Sequence, residues 1–295
     1  MINLNCKVET PKSLNEVITL LSHANSKTKI LAGGTDLVVG KIQGSKRFID
    51  TETLIDINKI DELHKIEFID GKIFIGAAST FSEIEENEII SKHLPILKKA
   101  VSTIGSLQIR NRATIAGNFV NNAPCADSVP ALLVYDAELE LMSANGTRNI
   151  SLQKFLEAPY KTQLQRNEIV TKIIISTPNK NLKGDFYKLG RRRAVAISRI
   201  TLALLCEIEN NFIKDIKIAS GAVTPIGKRF YELENFAKEK KIEKELLINL
   251  SQKIGEEILN ITGLRWSSAY KLPVVQQMFY QLLNNIMINK NENKI

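Results

Sequence analysis

The chain has 295 residues, 44% of them hydrophobic, enough for one large or two modest globular domains with a sizeable core. No apolar run is long enough to cross a bilayer, and the start, MINLNCKVETPKS, lacks the basic-then-apolar order of a secretory signal, so a cytoplasmic protein without a membrane span is expected. The formal charge of +8 permits nucleic-acid contact, but the basic residues of Lys238–Lys244 carry no recognition motif and few interleaved aromatics, so a solvated surface is expected there and no nucleic-acid partner.

In chain order, Ser13-Leu14-Asn15-Glu16 forms a capping-box pattern, and Leu14, Val17, Ile18 and Leu21 follow at helical spacing. A short strand at Thr28–Ala32 runs into Gly33-Gly34-Thr35-Asp36, a turn signal. Another strand is expected near Leu54–Ile57, then a hairpin of Lys65–Ile69 and Lys72–Ala77 about Asp70-Gly71. Leu94–Ile104 reads as a helix ending at Gly105, and Asp127–Tyr135 as a shorter one. A second hairpin, Glu138–Met142 with Thr147–Leu152, is expected about Asn145-Gly146, and Glu168–Ser176 is rich in β-branched strand formers. The polar segment from Thr177-Pro178 to Gly184 divides a domain at 1–178 from one at 184–290. The second holds strands at Ile200–Glu209 and Phe212–Val223 and helices near Lys228–Lys238, Glu243–Asn260 and Ser268–Met287; the last eight residues are expected to fray.

The densest information lies between Thr103 and Asp136, TIGSLQIRNRATIAGNFVNNAPCADSVPALLVYD. Thr114, Ile115, Ala116, Gly117 and Asn118 make a small, donor-rich turn that a diphosphate could approach. Asp127 opens the following helix, where it can cap the helix or accept from ligand hydroxyls. Together with Gly33-Gly34, this makes two turns able to clamp a dinucleotide; either alone is an ordinary tight connection. No GxGxxG follows a strand and no Walker lysine motif is present, which weighs against a Rossmann domain and a P-loop NTPase. Cys6, Cys125 and Cys206 are widely spaced with no CxxC pair, so no zinc or iron–sulfur framework is expected. His23, His64 and His93 lie apart and receive no role. Arg110 is expected to fix its loop through backbone carbonyls, and Trp266 to anchor the C-terminal helices.

The words LAGGTDL (Leu31 to Leu37), TIGSLQIRNRATIAGN (Thr103 to Asn118), APCADSVPALL (Ala123 to Leu133) and FYKLGRRRAVAISR (Phe186 to Arg199) stand in an order that resembles the FAD-binding subunit of the molybdenum hydroxylases. The resemblance implies an α+β fold: a two-part, PCMH-type, non-Rossmann FAD-binding domain, then a smaller domain of antiparallel sheet and helices. It implies FAD on this chain, held by Leu31, Ala32, Gly33, Gly34, Thr35, Asp36 and Leu37, by Thr114, Ile115, Ala116, Gly117 and Asn118, and by Asp127, Val170 and Lys188. Lys188 would lie near the isoalloxazine ring; its alternative is a surface lysine at a strand end. Val170 has the alternative of a plain core residue. Many relatives have Gly where this chain has Ala116, which requires a negative φ there.

The resemblance also implies a hetero-oligomer with a large molybdopterin-binding subunit and a small [2Fe–2S] subunit, passing electrons to NAD or another acceptor. The flavin carries the chemistry, and no residue of this chain is assigned a catalytic role. Arg191–Arg193 can form ion pairs, face a partner subunit or attract NAD phosphates. PCADS, YDAELEL and KLGRRRAVAISR point to the xanthine dehydrogenase branch; the carbon monoxide and nicotinate dehydrogenase branches are alternatives, as is an assembly protein that has lost FAD.

Overall fold

The computed structural model describes residues 5–192 and 195–287; Arg193 and the tail expected to fray lie outside them. The first unit runs β1 (Lys7–Glu9), α1 (Leu14–Ser22), β2 (Thr28–Leu31), α2 (Leu37–Ile42), β3 (Thr53–Asp56). Its three strands are parallel in the order β1–β3–β2, because α1 and α2 serve as the crossovers that parallel pairing needs. The Ser13 hydroxyl caps α1 through the Glu16 N–H; the Glu16 carboxylate reaches back to the N–H of Lys12, one residue before the expected partner. Val17 and Leu21 then bury against Ile55, Ile57 and Leu63.

The second unit begins with β4 (Ile66–Ile69) and β5 (Lys72–Gly76). Asp70 (φ 48°) and Gly71 (φ 74°) are both left-handed, the geometry that two-residue hairpins require. Six short helices follow: α3 (Phe81–Glu86), α4 (Glu88–His93), α5 (Pro95–Ser102), α6 (Leu107–Arg110), α7 (Ile115–Asn121) and α8 (Ser128–Val134). Then come β6 (Glu138–Ser143), β7 (Gly146–Ser151), α9 (Leu152–Phe155), the small hairpin β8 (Leu156–Ala158) with β9 (Lys161–Thr162), and β10 (Ile169–Ser176). The antiparallel sheet has the order β4–β5–β10–β6–β7 and carries its core between one face and the helices. Ser143 pairs with Gly146, so the loop of the second hairpin is Ala144-Asn145, one residue earlier than expected.

The third unit is an antiparallel meander of β11 (Leu182–Gly190), β12 (Ser198–Glu209), β13 (Phe212–Gly221) and β14 (Lys228–Arg229), then α10 (Tyr231–Ala237), α11 (Lys244–Thr262) and α12 (Ser268–Met287). On β12, Leu202, Leu204 and Cys206 face α11 and α12, while Ala203 and Leu205 join the core of the second unit. Covering both faces explains why β12 reads as one apolar run rather than alternating. Gly184, expected in the linker, lies inside β11; a Cβ there would meet the Leu204 carbonyl oxygen at 2.4 Å and an Ile96 methyl at 2.5 Å, so this glycine permits close packing rather than a turn.

Lys228-Arg229, expected to start a helix, pair as a strand with Ser220 and Ala219. The Arg229 side chain, 4% exposed, is held by Glu234 through two bonds of 2.6 and 2.7 Å, by the Leu133 carbonyl at 3.0 Å and by Asp136. Burial opposes its charge, but Glu234 and Asp136 together hold its pKa above the ordinary value. This cluster ties the third unit to the end of α8. Trp266 does not anchor the helices: it stands 92% exposed in the loop between α11 and α12, whose seam is filled by residues such as Leu250, Ile254, Phe279 and Leu283. No helix of the described residues is long and apolar enough to cross a membrane.

Candidate functional site

A cavity of about 730 Å³, large enough for a cofactor, opens between the first and second units. One wall is the turn from β2 into α2. There Gly34 is left-handed (φ 73°) and Gly33 lies against the backbone of the second unit. A Cβ at Gly33 would stand 2.1 Å from the Arg112 carbonyl oxygen, so only glycine lets the two segments touch. Among the described residues, the backbone N–H groups of Gly33, Gly34, Thr35 and Asp36 donate to no protein acceptor. Neither does the Asp36 carboxylate cap α2. Successive unused N–H groups about a left-handed glycine form an anion-receptive concavity.

The opposite wall differs from the expected turn. Thr114 is the N-cap of α7, and Ile115–Asn118 are already helical. Their N–H groups are satisfied within the protein: Ile115 donates to Ser79, Ala116 to Ala77, Gly117 to the Thr114 hydroxyl, and Asn118 to the Thr114 carbonyl. This segment therefore presents side chains and close-packed backbone to the cavity, not free backbone donors. Ala116 sits in the helical region, so its methyl is accommodated. Asn118 accepts from Ser128 at 2.6 Å.

Of the sequence-derived residues, Leu31–Leu37, Thr114, Ala116, Gly117, Asn118 and Val170 line this one cavity. Val170 is buried on β10 beside a bulge between Val170 and Lys172. Ile115 points into the core instead. Asp127 and Lys188 do not line the cavity; they pair with each other at 2.7 Å, with side chains 6% and 11% exposed. Lys188 also donates to the Thr103 carbonyl at 2.8 Å, and Ser198 donates to Asp127. Burial pushes the Asp127 carboxyl up, against the opposing pull of Lys188 and Ser198. Asp127 thus does not cap α8 with its side chain, and Lys188 is no free surface lysine. The pair joins α8 to β11 next to Ile104 and Asn118 on the cavity wall.

Arg110 donates to Glu85 at 2.9 Å and to the Ile104 carbonyl at 3.4 Å, fixing the loop before α7. Arg192 donates to the Val195 carbonyl. Cys125 is a packing residue whose thiol is raised, first by burial and then by Asp127. At the mouth, Arg148 holds Glu168 through two bonds of 2.7 and 2.9 Å and keeps its carboxyl below the ordinary range. Sequence reasoning missed Glu168, Arg47, Phe48 and Tyr160, which also line the cavity. Arg47-Phe48 sits in an unpatterned loop, and nothing in the order of residues announces its neighbours.

Comparison with known proteins agrees with both halves of the molecule. The family described as the FAD binding domain in molybdopterin dehydrogenase matches residues 4–178, and the CO dehydrogenase flavoprotein C-terminal domain matches 185–286, which makes the class a two-part flavoprotein. The chain is 31% identical over 274 residues to a xanthine dehydrogenase FAD-binding subunit of Escherichia coli O157:H7, covering 92% of each chain. It is 32% identical over 282 residues to the nicotinate dehydrogenase FAD-subunit of Eubacterium barkeri, covering 94% of each. Among solved structures, a carbon monoxide dehydrogenase chain from Hydrogenophaga pseudoflava superimposes with a TM-score of 0.88 at 27% identity, over 96% of this chain and 98% of that one. The chain belongs to the family of FAD-binding subunits of the molybdenum hydroxylases and is an oxidoreductase subunit.

Proposed function

We propose that this chain holds one FAD, without a covalent link, in the cavity between its first and second units. The observation that carries the placement is the run of unused N–H groups at Gly33–Asp36, closed against Arg112 where a Cβ would not fit. That donor set suits a diphosphate, and the apolar walls around Val170 and Ile104 suit aromatic rings. Thr114, Gly117 and Asn118 would shape the opposite side. Asp127 and Lys188 would act at the edge of the site as one ion pair rather than as two separate ligands. On this reading 1–178 and 184–290 form two domains, the second bracing the first through Asp127–Lys188 and Arg229.

FAD supplies the redox chemistry when bound. The chain's own residues bind it, orient it and set its electrostatic surroundings. We place the chain in a hetero-oligomer with a large molybdopterin subunit and a small [2Fe–2S] subunit, where it relays electrons from the clusters to NAD or another acceptor. Within the family we favour the xanthine dehydrogenase branch on PCADS, YDAELEL and KLGRRRAVAISR. Titrating the FAD-free chain with FAD tests the reading: one equivalent should saturate it, with ADP competing. Absence of saturable binding overturns it.

A further inference from the structure

Arg47 reaches the cavity from the loop between α2 and β3, and its position is built rather than incidental. Lys41 donates to the carbonyls of Ile49 at 3.1 Å and Thr51 at 2.7 Å, pinning that loop. The Phe48 ring fills the space left by Gly40, where a Cβ would meet it at 2.5 Å. The Arg47 guanidinium stacks 4.0 Å from the Tyr160 ring centroid and 4.7 Å from that of Phe48, and donates to Asn121. It therefore bridges the first unit to the second across the cavity mouth.

Tyr160 is equally fixed. It stands at the tip of the β8–β9 hairpin with φ 62°, a conformation that costs a non-glycine residue free energy. Asn122 holds the tip through the Ala158 and Lys161 carbonyls at 2.7 and 3.0 Å and accepts from the Tyr160 N–H at 2.9 Å. A guanidinium has five N–H donors, and among the described residues Arg47 uses one. The two rings steady the guanidinium, and its remaining donors lie in the planar fork that pairs with phosphate oxygens.

We infer that Arg47 is a further phosphate-binding residue, a clasp that pairs with the diphosphate of the bound dinucleotide and slows its release. This rests on the reading that FAD occupies the cavity. Arg47→Ala should speed FAD release and weaken ADP binding by about tenfold or more, while leaving adenosine binding within about twofold, because adenosine has no phosphate. Arg47→Lys should recover part of the ADP affinity through charge alone. Tyr160→Asn, which tolerates the left-handed backbone but removes the ring, should speed FAD release to an intermediate degree. Thermal melting of each FAD-free variant guards against misfolding. Equal losses for ADP and adenosine in Arg47→Ala would overturn the phosphate contact, and FAD release at the wild-type rate would overturn the clasp. A wild-type chain that takes up neither FAD nor ADP would overturn the underlying placement as well.

Discussion

Gly33→Ala probes the cavity where its two walls meet. The new Cβ would lie 2.1 Å from the Arg112 carbonyl oxygen and 2.8 Å from the Ala113 Cα. Ordinary carbon–oxygen contacts lie at about 3.3–3.6 Å, so the first contact must open by roughly 1.2 Å. Both neighbours are backbone, and no side chain can rotate away. Overpacking of this kind costs about 1–3 kcal/mol. The wall that must yield carries the unused N–H groups, so the cost should fall on ligand affinity as well as on folding. The expected result is FAD binding weakened by about 5- to 150-fold, read by fluorescence titration of the FAD-free protein. Denaturant melts of the same samples report the share that falls on stability. FAD affinity and melting both unchanged would refute the close approach of the two walls.

Other perturbations reach separate parts of the account. Gly117→Val places a Cβ 2.8 Å from the Thr114 hydroxyl that caps α7, so FAD occupancy should fall while the far-ultraviolet circular dichroism is largely kept. Arg229→Met leaves Glu234 buried without its partner and should cost about 3–5 kcal/mol in urea unfolding; adding Glu234→Leu should restore part of the loss. Lys188→Ala should likewise destabilise the chain, and should change the flavin reduction potential more than FAD occupancy; an unchanged potential would remove Lys188 from the flavin's surroundings. The carboxyl of Glu168 has its pKa lowered chiefly by its bonds to Arg148, so its contribution is complete above the unfolded value of about 4.3 and lost as pH falls through the folded one. The melting-temperature gap between wild type and Glu168→Gln should therefore close on acidification below that value. Burial raises the Cys206 thiol to about 12, so thiol reagents should label it only on unfolding.

Much of the frame was legible because local chemistry and tertiary structure agree there. Asp70-Gly71, the Ser13 cap, the strand of Glu168–Ser176 and the long C-terminal helices all follow from patterns a few residues wide. Where packing overrides pattern, the reading slipped. Gly184 resembled a linker glycine but sits in a strand because Leu204 and Ile96 crowd it. Trp266 resembled a core anchor, yet the helical seam was already full. The run Thr114–Asn118 reads as a turn with free backbone donors, but it is the start of a helix whose N–H groups are consumed by Ala77, Ser79 and Thr114, contacts set by distant folding; all but Ile115 still line the cavity. Asp127 and Lys188 were each visible, but not their pairing across 61 residues. Arg47 and Tyr160 carried no signal, since a stack between two loops leaves none in either.

The central claim is that this chain is a flavin carrier built around the Gly33–Asp36 turn. It is tested most directly by the visible absorption spectrum of the purified chain, before and after added FAD, with chromatography of whatever denaturation releases. A flavin carrier should show flavin bands and release FAD, one per chain. A colourless protein that never takes up FAD would contradict it.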